Sequence, residues 1–108
     1  MNVSEMAKKA GLKSFNACTD KEIRGVYISD MVSDIIGIGE GNLLVTLQTH
    51  KNLIAAANLV DVAAIVFCRG KAPADDVIAL ANKAGIQLFG FEGDTWTLAK
   101  TLYELGIR

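Results

Sequence analysis

Four short apolar runs, at residues 26–28, 43–47, 63–67 and 86–89, each lead into a segment whose apolar residues recur at helical spacing. The runs are too short for helices and sit between turn residues, so they read as strands. Strands that alternate with helices in this way form a mostly parallel sheet joined by right-handed crossovers. The expected architecture is α/β in three layers, a mostly parallel central sheet with helices on both faces. The 108 residues suit one domain, 1–108. Within it, residues 1–22 form an N-terminal helix and short strand, and residues 23–108 the β-α core.

Before the core, Val3, Met6 and Ala10 are spaced for one helical face, with Gly11 as the stop. Residues 12–17 read as a short strand and residues 18–22 as an exposed loop. After the strand ending at Ile28, Asp30 is expected to cap a short helix over residues 31–36. A helix from His50 or Lys51 to Val60 would place Leu53, Ala56, Ala57 and Val60 on one face. Pro73 stands near the start of the next helix, residues 74–84, which should bury Val77, Ile78 and Ala81 and end at Gly85. Asp94 or Thr95 caps a final helix that runs to Leu105. Trp96 and Tyr103, seven positions apart, are expected to pack on the sheet; a dimer interface is the alternative.

Composition narrows the function. Eleven basic and twelve acidic residues leave a net charge of −1, which gives no general pull toward nucleic acid or anionic lipid. No apolar run reaches the ~18 residues of a membrane helix, and MNVSEMAKKAGLK has no apolar signal core. A cytoplasmic location is expected, with no nucleic-acid or membrane partner. Cys18 and Cys68 stand fifty residues apart without a Cys/His cluster, so no metal is expected, and both read as reduced, half-buried hydrophobes.

Ligands of a parallel sheet bind beyond the carboxyl ends of its strands. Four segments should gather there: Ser29-Asp30, Gln48-Thr49-His50, Cys68-Arg69-Gly70-Lys71 and Glu92-Gly93-Asp94-Thr95. His50 and Lys51 fall in the first turn of a helix, where a cation is unfavourable by ~0.3–1 kcal/mol. Arg69 and Lys71 crowd the adjoining loop. A phosphate or carboxylate among these groups would resolve the conflict; neutralisation by Asp30, Glu92 and Asp94 is the plainer resolution. The candidate ligand-binding residues are therefore Ser29, Asp30, Gln48, Thr49, His50, Arg69, Gly70, Lys71, Asp94 and Thr95.

Other motifs exclude more than they assign. GIGEGN, residues 37–42, has G-x-G-x-G spacing and precedes a strand, so it is a turn and not a dinucleotide fingerprint. No G-x-x-x-x-G-K-[ST] occurs, which removes the usual phosphate cradle and makes kinase chemistry unexpected. VSEMAKKAGL could open a helix-turn-helix, yet no basic recognition helix follows. His50 has Thr49 beside it and Asp30 or Asp94 within conceivable reach, the minimum for a base-assisted nucleophile.

From Gly25 to the end, in GVYISDMVSDIIG, NLLVTLQTHKNLIAAA, AAIVFCRG, the helix after Pro73, GIQLFGF and DTWTLAKTLYEL, the chain resembles the DRTGG domain family. VSEMAKKAGL fits the helix that opens its free-standing members. Such domains form the N-terminal regulatory part of some phosphotransacetylases and lie between CBS domains in certain pyrophosphatases. They are also similar to the N-terminal domain of HPr kinase/phosphorylase. The resemblance implies a related α/β fold with a regulatory or dimerising role and no catalysis. The family's Asp-Arg falls on Thr49-His50, and its Thr-Gly-Gly on Cys68-Arg69-Gly70, where only Gly70 is unchanged.

The expectation is a non-catalytic regulatory or ligand-binding module without cofactor, forming a homodimer. It would sense a small anionic metabolite or nucleotide, or regulate a partner enzyme. The alternatives are a structural subunit without a small ligand and a small enzyme that uses His50.

Overall fold

A computed structural model describes residues 1–107. In chain order the elements are α1 (Val3–Ala10), β1 (Lys13–Ser14), β2 (Gly25–Ile28), α2 (Val32–Ile35), β3 (Asn42–Thr46), α3 (Lys51–Leu59), β4 (Ala64–Phe67), α4 (Asp75–Ala84), β5 (Gln87–Gly90) and α5 (Thr95–Glu104). The five strands form one sheet in the order β1-β5-β4-β3-β2. β2 to β5 are parallel, and β1 is antiparallel to β5 through Lys13 opposite Gly90 and Ser14 opposite Phe89.

Because β2, β3, β4 and β5 are neighbours in chain order, crossovers of one hand place α2, α3 and α4 on the same face. The cores reflect this. Leu44, Ile65, Phe67 and Leu88 of the strands meet Ile35, Leu53, Ala57, Val77 and Ala81 of those three helices. On the opposite face Leu43, Val45, Ala64, Val66 and Phe89 meet Val3, Met6 and Ala7 of α1 and Leu98 and Leu102 of α5. Successive strand residues thus feed opposite cores, the period-2 rule applied to strands buried on both sides. The expected three-layer sheet is the observed one.

Several local expectations are corrected. Strand β1 has two residues, not six, because the chain leaves the sheet to let Asn16 bridge to α4 and β5, where Nδ2 donates to Asn82 Oδ1 at 3.0 Å and Oδ1 accepts from Leu88 N at 2.7 Å. Residues 18–22 do form an exposed loop, as expected, but it is pinned to α1. Asp20 accepts from Ser4 N and Ser4 Oγ at 3.0 and 2.7 Å, Val3 N donates to Lys21 O, and Cys18 is half-buried. Cys68 is fully buried rather than half-buried, and Ala10, Val60 and Ile78 are only partly covered.

Trp96 and Tyr103 do not pack on the sheet. They are 74% and 61% exposed, because Leu98 and Leu102 set the inner face of α5 and turn the two aromatics outward.

Candidate functional site

The carboxyl ends of β2 to β5 open into the four expected loops, and each loop spends its polar groups differently. After β2, Asp30 does not cap α2. The N-cap position is Met31, without a side-chain hydrogen bond. Asp30 reaches across to β3 instead, and its Oδ1 accepts from Thr46 Oγ1 at 2.9 Å and from Leu47 N at 2.7 Å. Ser29 Oγ donates to Asp34 Oδ2 at 3.0 Å and accepts from Met31 N at 3.2 Å. Tyr27 donates to the same Asp34 oxygen at 2.9 Å, and its phenol is pushed up by that carboxylate. Ser29 and Asp30 therefore brace the edge.

After β3 the backbone is held by a regular ladder. Gln48 N donates to Thr46 Oγ1 at 3.0 Å, His50 N to Gln48 Oε1 at 3.0 Å, and Asn52 N to His50 Nδ1 at 3.2 Å. Each side chain takes the amide two residues on, the local pattern that polar residues use to replace secondary structure. The last rung makes His50 the N-cap of α3. With Nδ1 accepting, Nε2 is the outward ring nitrogen. Gln48, Thr49, His50 and Lys51 line one wall of an open groove of about 310 Å³ whose other wall is Ala74, Asp76 and Val77 at the start of α4.

After β4, Arg69 and Gly70 both take left-handed backbone, with φ of 60° and 66°. This bend points Arg69 N at Gly93 O (2.8 Å) and Gly70 N at Phe91 O (3.0 Å), so the loops after β4 and β5 are stitched together. A side chain at position 70 would come within 3.1 Å of Glu92 Oε2. Gly70 and Lys71 line a separate pocket of about 110 Å³ with Lys13, Phe15, Phe91 and Glu92.

After β5, Asp94 Oδ1 caps α5 by accepting Thr97 N at 2.8 Å. The hydrogen bonds from Thr97 hold the Asp94 carboxyl below its ordinary range, helped by the charge of Arg69. Thr95 hydrogen-bonds the Cys68 thiol, while burial pushes that thiol up.

The structure thus brings Gln48, Thr49 and His50 to one groove, places Gly70 and Lys71 on another, and uses Ser29, Asp30, Asp94 and Thr95 to hold backbone or core. The edge cations form no salt bridge, although the charge of Arg69 acts on the Asp94 carboxyl. Among the described residues the salt bridges are Met1–Glu22, Lys9–Glu5 and Arg24–Glu40, and none involves Lys51, Arg69 or Lys71. Asp76 is the wall residue that sequence reasoning missed; its signal is the acidic pair Asp75-Asp76 in the first turn of α4.

A second concavity of similar volume, about 320 Å³, lies elsewhere, between α1 and the β1–β5 edge. Several of its polar residues are committed to one another. Gln87 Oε1 accepts Cys18 N at 2.9 Å, Gln87 Nε2 donates to Ser14 Oγ at 2.7 Å, and Asp20 holds Ser4. Among the described residues no group of three or more His, Cys, Asp or Glu could hold a metal ion, and no helix is long and apolar enough to cross a membrane.

Comparison with known proteins places this architecture. No curated protein matches the chain. Among solved structures it is similar to the CBS and DRTGG domains of the regulatory region of Clostridium perfringens pyrophosphatase, complexed with its activator diadenosine tetraphosphate. The TM-score is 0.70 at 15% identity, over 93% of this chain and 45% of that one. The chain therefore spans less than half the length of that regulatory region. The family model of the DRTGG domain matches residues 9–105, and the chain belongs to that family.

Proposed function

We propose that this chain is a non-catalytic regulatory module that binds a small anionic metabolite, of which a nucleotide is the favoured class, and acts on a partner enzyme as a homodimer. The observation that carries the ligand is the charge at the strand carboxyl edge. Lys51, Arg69 and Lys71 are exposed there and form no salt bridge among the described residues, the charge of Arg69 acting on Asp94. The groove beside Lys51 offers Gln48, Thr49 and the outward His50 nitrogen as hydrogen-bonding groups. An anion lying across Lys51 toward Arg69 would gain charge-assisted hydrogen bonds. Asp76 on the far wall repels a bare phosphate and suits a ligand that also presents donors, as a ribose or base edge does. The similar pyrophosphatase region, crystallised with a dinucleoside polyphosphate activator, supports the nucleotide class.

The reading of His50 as a catalytic base is weaker on this geometry. Its Nδ1 is used to cap α3, so no carboxylate orients the ring through that atom.

Thermal-shift screening against nucleoside mono-, di- and triphosphates, diadenosine polyphosphates, phosphosugars and acyl phosphates tests the proposal. A ligand at a hundredfold excess over its Kd stabilises by ~2.7 kcal/mol, a rise of several degrees in a domain of this size. Arg69→Ala and Lys51→Ala should each reduce the shift. A panel that leaves the melt unmoved contradicts the ligand-binding reading and favours a structural subunit.

A further inference from the structure

The concavity between α1 and the β1–β5 edge reaches Gln87, the first residue of β5, and so lies toward the end of the sheet opposite the carboxyl-edge grooves. Its floor is apolar: Val3 and Ala7 of α1, Leu12 and Phe89. Two charges of opposite sign line it without meeting. Lys8 is exposed on one side and forms no salt bridge among the described residues; Glu5, the nearest acid on its helix, is held by Lys9 at 3.2 Å. Asp20 stands over the preceding turn of α1. Ser4 N and Ser4 Oγ donate to it at 3.0 and 2.7 Å, and Lys21 N at 3.0 Å. These donors are neutral, so they fix the carboxylate in place while no cation answers its charge. They also leave one of its roughly four acceptor sites open, on Oδ2, which is bonded by Ser4 Oγ. Ser4 and Lys8 share a helix face, so the anchors of the two charges are offset by about 6 Å, four residues of helical rise.

We propose that this concavity is a second ligand site, which binds a free α-amino acid with an apolar side chain. The ammonium donates to Asp20 Oδ2, the carboxylate accepts from Lys8 Nζ, and the side chain lies on Val3, Ala7, Leu12 and Phe89. An α-amino acid carries both charges and an apolar group on one carbon, which is the combination that the two separated charges and the floor between them match. A ligand of one charge is opposed by one of the two walls, an anion by Asp20 and a cation by Lys8, and that repulsion supplies the selectivity. The volume, about 320 Å³, is at the small end of ligand sites and suits a molecule of leucine size. Gln87 holds Cys18 N and Ser14 Oγ at 2.9 and 2.7 Å, so the wall facing α1 is formed before a ligand enters. The site is independent of the nucleotide reading.

Isothermal titration of the full chain with leucine, isocaproate and isoamylamine tests this. Leucine carries both charges, and the two analogues keep its apolar group with one charge each. Leucine is expected to bind saturably, and each analogue at least about tenfold more weakly, because a charge-assisted hydrogen bond is lost and an opposing charge is left in the site. Lys8→Ala and Asp20→Asn should each weaken leucine binding by a similar factor, with a melting curve to confirm folding. Lys8 is exposed and makes no bond that the fold depends on, so Lys8→Ala carries the test even where Asp20→Asn loosens the loop at Ser4. The absence of saturable binding by leucine, isoleucine, valine and phenylalanine overturns the site. A leucine affinity that survives Lys8→Ala overturns it too, as do analogues that bind as tightly as leucine.

Discussion

Asp30 Oδ1 accepts the Thr46 hydroxyl at 2.9 Å, and this single contact ties the end of β2 to the end of β3 just where the groove begins. Thr46 is the one buried polar residue among those described, and its oxygen in turn accepts Gln48 N. The Gln48–His50 corner is therefore hung from a hydroxyl that two elements share. Thr46→Val keeps the side-chain shape, removes that hydroxyl and strands Gln48 N. A loss of ~1–3 kcal/mol is expected by chemical denaturation, the cost of an unsatisfied partly buried group. Thr46→Ser should recover most of it. In a double-mutant cycle Thr46→Val and Asp30→Ala should be clearly non-additive.

Arg69 holds a left-handed backbone that costs a residue with a Cβ roughly 1–2 kcal/mol. An arginine here accepts strain that a glycine would not. Arg69→Gly should raise the melting temperature by a few degrees while weakening any anion-dependent shift, and Arg69→Lys should retain both strain and charge. A glycine variant that melts lower than wild type contradicts the strain assignment.

The pH dependence of stability has two limbs. Hydrogen bonds hold the carboxyls of Asp94, from Thr97, and of Asp20, from Ser4, below their ordinary range. The unfolded chain takes up these protons first, so the stabilisation is complete above about pH 4 and is lost as pH falls through the folded-state values. Burial raises the Cys68 thiol, so its contribution is complete below about pH 8.5 and is lost as pH rises beyond it. Melting temperature across this range should show a plateau between the limbs. Asp94→Asn retains a capping oxygen and should flatten the acid limb, and Cys68→Ala should flatten the alkaline one.

The core makes a plainer prediction. Leu53 of α3 is fully buried against Leu44 and Phe67 on the α2–α4 face. Leu53→Ala should cost about 2–5 kcal/mol, read as a lower denaturant midpoint with an unchanged slope.

The order of elements was legible in the chain because the strand and helix periods differ and glycine or proline separates them. Leu43 to Leu47 and Ala63 to Phe67 could be little other than buried strands. What escaped depends on contacts between segments far apart in sequence. Asp30 reads locally as a helix cap, but Thr46 and Leu47 offer it two donors across the sheet. Trp96 and Tyr103 look like core by size, while the smaller Leu98 and Leu102 set the buried stripe. The carboxyl edge was correctly foreseen as the meeting place of four loops. Its division into two grooves was not, because it follows from the left-handed turn at Arg69-Gly70 and the bonds to Gly93 and Phe91 that the turn allows.

Amide chemical-shift mapping with a nucleotide titrated into the isotope-labelled chain tests the central claim most directly. Saturable shifts confined to Gln48, Thr49, His50, Lys51 and the loop at Arg69 to Lys71, and lost in Lys51→Ala/Arg69→Ala, are the predicted result. Shifts centred on the concavity between α1 and β5, at Ser4, Cys18 and Gln87, or no saturable shift with any nucleotide, would contradict it.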